Sequence, residues 1–153
     1  MKMTEPFTDE GRRPRIVVAV SESPSGCAAL RRAIAEARSR GGVLHLVRAC
    51  RDVDGFLSMT RTQAAELPAS QRESQQILIR AERIVNDTDA DLPFRSDFVK
   101  GDVYTALERR CVGADLLIMG RGAPDSSTRF FGEWFQRQAA CPVTLVDAAP
   151  PSA

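Results

Sequence analysis

The chain has 153 residues, 43% hydrophobic and 27% charged, with a formal net charge of +1. That length suits one domain with a substantial core, and the near-neutral balance gives no electrostatic footprint for nucleic acid or a membrane surface. Four cysteines without CxxC spacing and a single histidine, His45, argue against a zinc site and a disulfide-stapled scaffold, and fit reduced thiols in a cytoplasmic protein.

In chain order, residues 1–14 read as a disordered lead-in, without the apolar core of a signal peptide. "RIVVAV" (Arg15–Val20) is a β-branched run without a polar residue, as expected of a strand buried on both faces. Turn-formers follow in "SESPSG". Cys27, Leu30, Ile34 and Ala37 then recur at helical spacing, with Ser25 as the expected N-cap and a glycine of "RGG" ending the helix. "VLHLVRAC" reads as a second strand. Residues 51–69 read as irregular, with Gly55 and Pro68 as breakers. Ser70 and Glu73 form a capping-box pattern before a helix with inner face Ile77, Ala81, Ile84 and Val85.

"FRSDFV" is a third, weaker strand. Asp102 is placed to cap a helix carrying Val103, Ala106, Leu107 and Cys111, closed by Gly113. "DLLIM" (Asp115–Met119) is a fourth buried strand. A glycine-rich loop, a last helix near Gly132–Ala140 and a fifth strand, "PVTLV" (Pro142–Val146), complete the domain at residue 147; residues 148–153 read as a tail. Strands alternating with helices imply right-handed crossovers and a parallel sheet covered on both faces. Pro142, lacking an N–H, suits a strand at a sheet edge. No stretch is apolar enough to span a bilayer, so a cytoplasmic protein without membrane or nucleic-acid partners is expected.

In such sheets ligands bind beyond the carboxyl ends of the strands, near the switch in strand order. "SESPSG", "KGD" (Lys100–Asp102) and "GRGAPDSSTRFFGE" all reach that edge. Their glycines let backbone N–H groups approach an anion, although glycines are also ordinary turn residues. The standard nucleotide fingerprints are missing: there is no GxxxxGK[ST], and GxGxxG would need glycine at Asp125. With one histidine inside a strand and no base beside Ser126, Ser127 or Thr128, nucleophilic catalysis has no constellation to work with. Cys141 before Pro142 is a buried position by type. Trp134, Phe130, Phe131 and Phe135 are expected to pack the last helix onto the sheet.

Three blocks resemble the universal stress protein family in order and spacing. "RIVVAVSESPSGCAALRRAIAEA" looks like its opening strand, turn and helix, and "VKGDVYTALERRCVGADLLIMG" like its third strand, helix and fourth strand. "RFFGEWFQRQAACPVTLV" is similar to its closing block. The resemblance covers Arg15 to Val146. It implies an α/β fold with five parallel strands and helices on both faces, flavodoxin-like or adenine nucleotide alpha hydrolase-like. It also implies a homodimer through the edge strand Pro142–Val146. One branch of the family binds ATP or AMP through Gly, two residues, Gly, nine residues, Gly, then Ser or Thr; another lacks the pattern and is not thought to bind nucleotide.

Carried onto this chain, Gly120, Gly122 and Gly132 match the three glycines, with nine residues between the last two. Only Arg121 separates the first two, one residue fewer than the pattern, and Glu133 stands where the hydroxyl residue belongs. Ser21 replaces the acidic residue that the binding branch carries after its first strand. Ser23, Ala49 and Gly101 are compatible with the pocket. A carboxylate ~4 Å from a phosphate charge costs roughly 1 kcal/mol in water and about 4 at an effective dielectric near 20. Arg121 and Arg129 offset part of that, and Glu133 has an alternative role as a cap of its own helix.

The reading is therefore a non-enzymatic stress-response or regulatory module with a weakened adenine-nucleotide site. No cofactor is required, and ATP or AMP are the candidate ligands. A functional ATP- or AMP-binding protein is the alternative, and a nucleotide-hydrolysing enzyme using Asp125 or Glu133 is the last.

Overall fold

The computed structural model describes residues 13–50 and 61–149, residues 61–70 by their backbone. Most of the expected lead-in, Gly55 and the last tail residues lie outside the described residues. Strands and helices alternate in the order β1 (Arg15–Ala19), α1 (Pro24–Arg40), β2 (Val43–Cys50), α2 (Arg61–Thr88), β3 (Phe94–Lys100), α3 (Val103–Cys111), β4 (Leu116–Gly120), α4 (Ser127–Gln138) and β5 (Val143–Val146). All pairings are parallel, in the order β3-β2-β1-β4-β5. The order reverses between β1 and β4, so their carboxyl ends frame the crevice where a ligand would sit. β5 lies at an edge, as Pro142 suggests.

The central strands supply both cores because their side chains alternate between the two faces. Ile16 and Val18 of β1 join Leu44, Leu46 and Ile118 beneath α1 and α2. Val17, Leu117 and Met119 join Leu107 and Phe135 beneath α3 and α4. Ile16, Val17 and Val18 are all fully buried, which explains the unbroken apolar run in β1.

Several helix boundaries depart from expectation. Ser23, not Ser25, caps α1: its Oγ accepts from the Gly26 N–H at 3.0 Å, and Pro24 supplies the preset φ of the first turn. Gly41 closes α1 in the left-handed conformation, φ 65°. α2 begins at Arg61, so residues 61–69 are helical and the Ser70–Glu73 pattern is not a start. The strong helix formers in "RTQAAEL" carry the helix through Pro68. The buried stripe of α2 runs through Ser74, Leu78, Ala81 and Val85, leaving Ile84 43% exposed. Asp102 caps α3 as expected, accepting from the Thr105 N–H at 3.0 Å.

α4 begins at Ser127, five residues ahead of Gly132, because Ser126 caps it by accepting from the Arg129 N–H at 3.1 Å. Gly132 is thus a helix-interior residue, and Glu133 is not a cap. Gly132 and Phe135 face the sheet. Phe130, Phe131 and Trp134 consequently fall on the other side and are exposed, contrary to expectation, while Phe135 packs as expected.

Candidate functional site

The crevice is built first by two short turns. After β1, Ser21 Oγ accepts from the Ser23 N–H at 3.3 Å and lies 3.0 Å from Ser23 Oγ. The two serines thereby close over the N-terminus of α1. After β4, Gly120 passes so near α1 that a Cβ there would lie 2.5 Å from Ser25 Oγ and 2.7 Å from its carbonyl carbon. Gly122 adopts φ 87°, a conformation glycine takes without strain. Its N–H donates to Ser25 Oγ at 3.1 Å, and its carbonyl accepts from the Arg129 guanidinium at 3.0 Å. The close approach these glycines permit is therefore an approach to the protein's own helices. Ser25, which the sequence reading spent as an N-cap, is the buried hydroxyl that receives the loop. The signal was a small residue opposite an obligatory glycine.

The two arginines expected to meet a phosphate also have internal partners. Arg121 Nε donates to Asp147 Oδ1 at 3.0 Å, and its guanidinium reaches Glu133 Oε2 at 3.6 Å. Arg129 lies 3.7 Å from the same Asp147 oxygen. Sequence reasoning missed Asp147, which counted only as the last residue of the domain. It follows β5 directly, and parallel pairing of β4 with β5 brings it beside the loop that leaves β4.

Of the remaining candidates, Ala49 sits near the end of β2, opposite Val99. Gly101 follows β3 with φ 130°, its N–H donating to the Cys50 carbonyl, and the space where a Cβ would stand is open. Gly132 is buried in α4, where a Cβ would make ordinary contact with Leu145 at 3.6 Å. The fold thus brings Gly120, Arg121, Gly122, Arg129 and Glu133 together, with Ser21 and Ser23 across the crevice. Gly132 serves helix–sheet packing.

Arg121 also touches the edge strand. The Pro142 and Val146 carbonyls accept from β4 and the following loop, so Val143 and Leu145 point their backbone groups outward. Gln136 Nε2 donates to the outward carbonyl of Val143 at 2.8 Å, and the Arg121 guanidinium approaches that of Leu145 at 3.5 Å. Side chains of the same chain therefore blunt the edge.

A second polar cluster lies on the other wing. His45, 3% exposed, holds the Asp97 carboxylate with Nε2 at 2.7 Å. The Arg110 guanidinium sits 3.3 Å from the same oxygen, and Arg95 lies 3.7 Å from the other. Burial pulls the imidazole down to about 4, against the hydrogen bond it donates to Asp97. The arginines already balance the carboxylate, so the neutral ring acts as an Nε2–H donor joining β2 to β3. This packed histidine is not aimed at the crevice. Burial also pushes the Cys141 thiol up to about 12, helped by its neighbour Cys111, so it is no nucleophile at neutral pH.

A universal stress protein family model matches residues 13–147. The chain belongs to the universal stress protein family. Solved structures of that family share its fold. UspA from Lactobacillus plantarum is 17% identical with a TM-score of 0.70, over 87% of this chain and 97% of that one. A family member from Burkholderia pseudomallei is 26% identical with a TM-score of 0.64, over 88% and 96%. A universal stress protein in complex with cAMP is 21% identical with a TM-score of 0.57, over 89% and 98%. No protein of curated function matches the chain. Among the described residues no helix is long and apolar enough to cross a membrane, and no group of side chains could hold a metal ion.

Proposed function

We propose that this family member is a non-enzymatic stress-response or regulatory module whose adenine-nucleotide site is weakened. The observation that carries the reading is the internal pairing of Arg121 with Asp147 and Glu133. A phosphate entering the crevice would have to replace Asp147 on Arg121 while facing both carboxylates. It would also lack the hydroxyl that the binding branch provides after its third glycine. That absent hydrogen bond to a charged group corresponds to about 1.5–3 kcal/mol. With carboxylate repulsion added, affinity falls by roughly a hundredfold or more. The serines across the crevice are engaged with each other and with α1, which supports the same reading.

Calorimetric titration with ATP and AMP tests it. The expected result is weak or no saturable heat, and sub-micromolar affinity would overturn the proposal in favour of a functional nucleotide binder. Steady ATP turnover lost on substituting Asp125 or Glu133 would instead establish an enzyme. The homodimer through β5 belongs to this reading in a restricted form. Two copies would pair there through β5, with Gln136 competing for the Val143 carbonyl at a cost of about 1 kcal/mol.

A further inference from the structure

α1 and α2 lie side by side on the same face of the sheet, their buried stripes sharing one core. Between them runs a cleft of about 420 Å³, opening beside the turn after β1. Interiors of folded proteins leave few voids larger than a water molecule, whereas sites for small molecules measure about 300–1,000 Å³. The walls of the cleft are apolar. Val20, Leu30 and Ala81, all buried, line it together with Ile77 and Ile84. Ile84 is 43% exposed, a large aliphatic surface on the wall of the cleft.

The mouth is charged. Glu22 grips Arg80 through two bonds, Nε to Oε2 at 2.5 Å and NH2 to Oε1 at 2.9 Å, which fixes the Arg80 guanidinium in place. Arg31, on α1 across the cleft, makes no ion pair among the described residues. Among the lining residues two guanidiniums face one carboxylate, and Glu73 beside Arg80 and Arg48 beside Glu22 add one charge of each sign, so a net positive charge stands over an apolar trough. A cation is disfavoured there, and a neutral ligand would leave Arg31 unused.

We propose that the cleft between α1 and α2 is a second small-molecule site, taking an amphipathic monoanion. Its apolar body lies against Leu30 and Ile84, and its anionic head meets Arg31 beside the Arg80–Glu22 pair. The cleft adjoins the nucleotide crevice at Ser21, which borders both, but none of its lining comes from the β4 loop. Cys27, half-buried in the wall, gives the cleft a chemical reporter.

Decanoate is a suitable probe, followed through displacement of anilinonaphthalene sulfonate and through alkylation of Cys27 by iodoacetamide. Saturable binding of one decanoate per chain is expected, with slower Cys27 alkylation as the site fills. Decanol, with the same body and no charge, should bind about fivefold more weakly, the worth of one exposed ion pair. Arg31→Glu should remove that preference, and Ile84→Glu should abolish binding; both positions are exposed, so the fold should survive each. Absence of saturable binding would overturn the proposal. So would equal affinity for decanoate and decanol, or binding untouched by both substitutions.

Discussion

Replacing Asp147 with Asn and Glu133 with Gln tests the weakened site most directly. Both carboxylates hold Arg121, at 3.0 and 3.6 Å, and both would face an incoming phosphate. Their side chains are 67% and 45% exposed, so solvent screens them strongly. At such exposure a unit charge ~4 Å away is worth about 1 kcal/mol, well below the interior limit. Each substitution should therefore strengthen ATP binding about fivefold, and the double variant roughly 25-fold if the two act independently. The gain should be largest at low ionic strength and fade as salt rises, since screening lengths shrink to about 3 Å at 1 M. Isothermal titration of the four proteins at two salt concentrations is the assay. Stability should change little, because exposed ion pairs contribute at most about 1 kcal/mol each. Unchanged affinity in the double variant would refute the reasoning, since Arg121 would then have no part in meeting phosphate. Weaker binding would do so too, by showing that the carboxylates organise the site.

The other predictions concern the scaffold. Gly120→Ala should lower stability by about 1–3 kcal/mol, because its Cβ meets the α1 backbone. Gly132→Ala should raise stability by about 0.5–1 kcal/mol, as alanine replaces glycine inside a helix without a clash. Urea denaturation distinguishes the two, and equal effects would contradict the different roles given to these glycines. His45 has a folded pKa of about 4 against 6.5 unfolded, so between those values the unfolded chain binds the proton and stability falls as pH falls. Unfolding free energy should drop by about 2 kcal/mol from about pH 7 to about pH 5, and His45→Gln should flatten that slope. An equal slope in the variant would show that other groups dominate. Gln136→Ala should free the Val143 carbonyl and raise dimer content in sedimentation velocity; an unchanged monomer–dimer balance would remove β5 as the pairing edge.

The order of strands and helices followed from local chemistry, and so did the doubly covered sheet. The β-branched run of β1, the helical spacing of Leu30, Ile34 and Ala37, Asp102 as a cap and Gly41 as a terminator each act within a few residues of chain. Patterns of that kind are legible because the side chain and the backbone it controls are neighbours in sequence. Helix starts were less legible where two candidates competed. Ser23 won over Ser25 because Pro24 opens the first turn and the Ser25 hydroxyl is taken by the Gly122 N–H. Ser126 won over the glycine at 132 because its hydroxyl satisfies a donor that glycine leaves open.

The state of the candidate site was beyond the sequence. Glycines at 120 and 122 were visible, but whether their freedom served a ligand or a neighbouring helix depended on Ser25, about a hundred residues away. The carboxylate at 133 was visible too, yet its partner Arg121 and the second anion, Asp147, meet only because β5 pairs with β4. The cleft between α1 and α2 likewise exists only through the way two helices separate on one sheet face. Periodicity and capping act locally and fix the elements. Charge pairing, close approach and empty space are relations between distant residues, and only the packed sheet brings those residues within reach of each other.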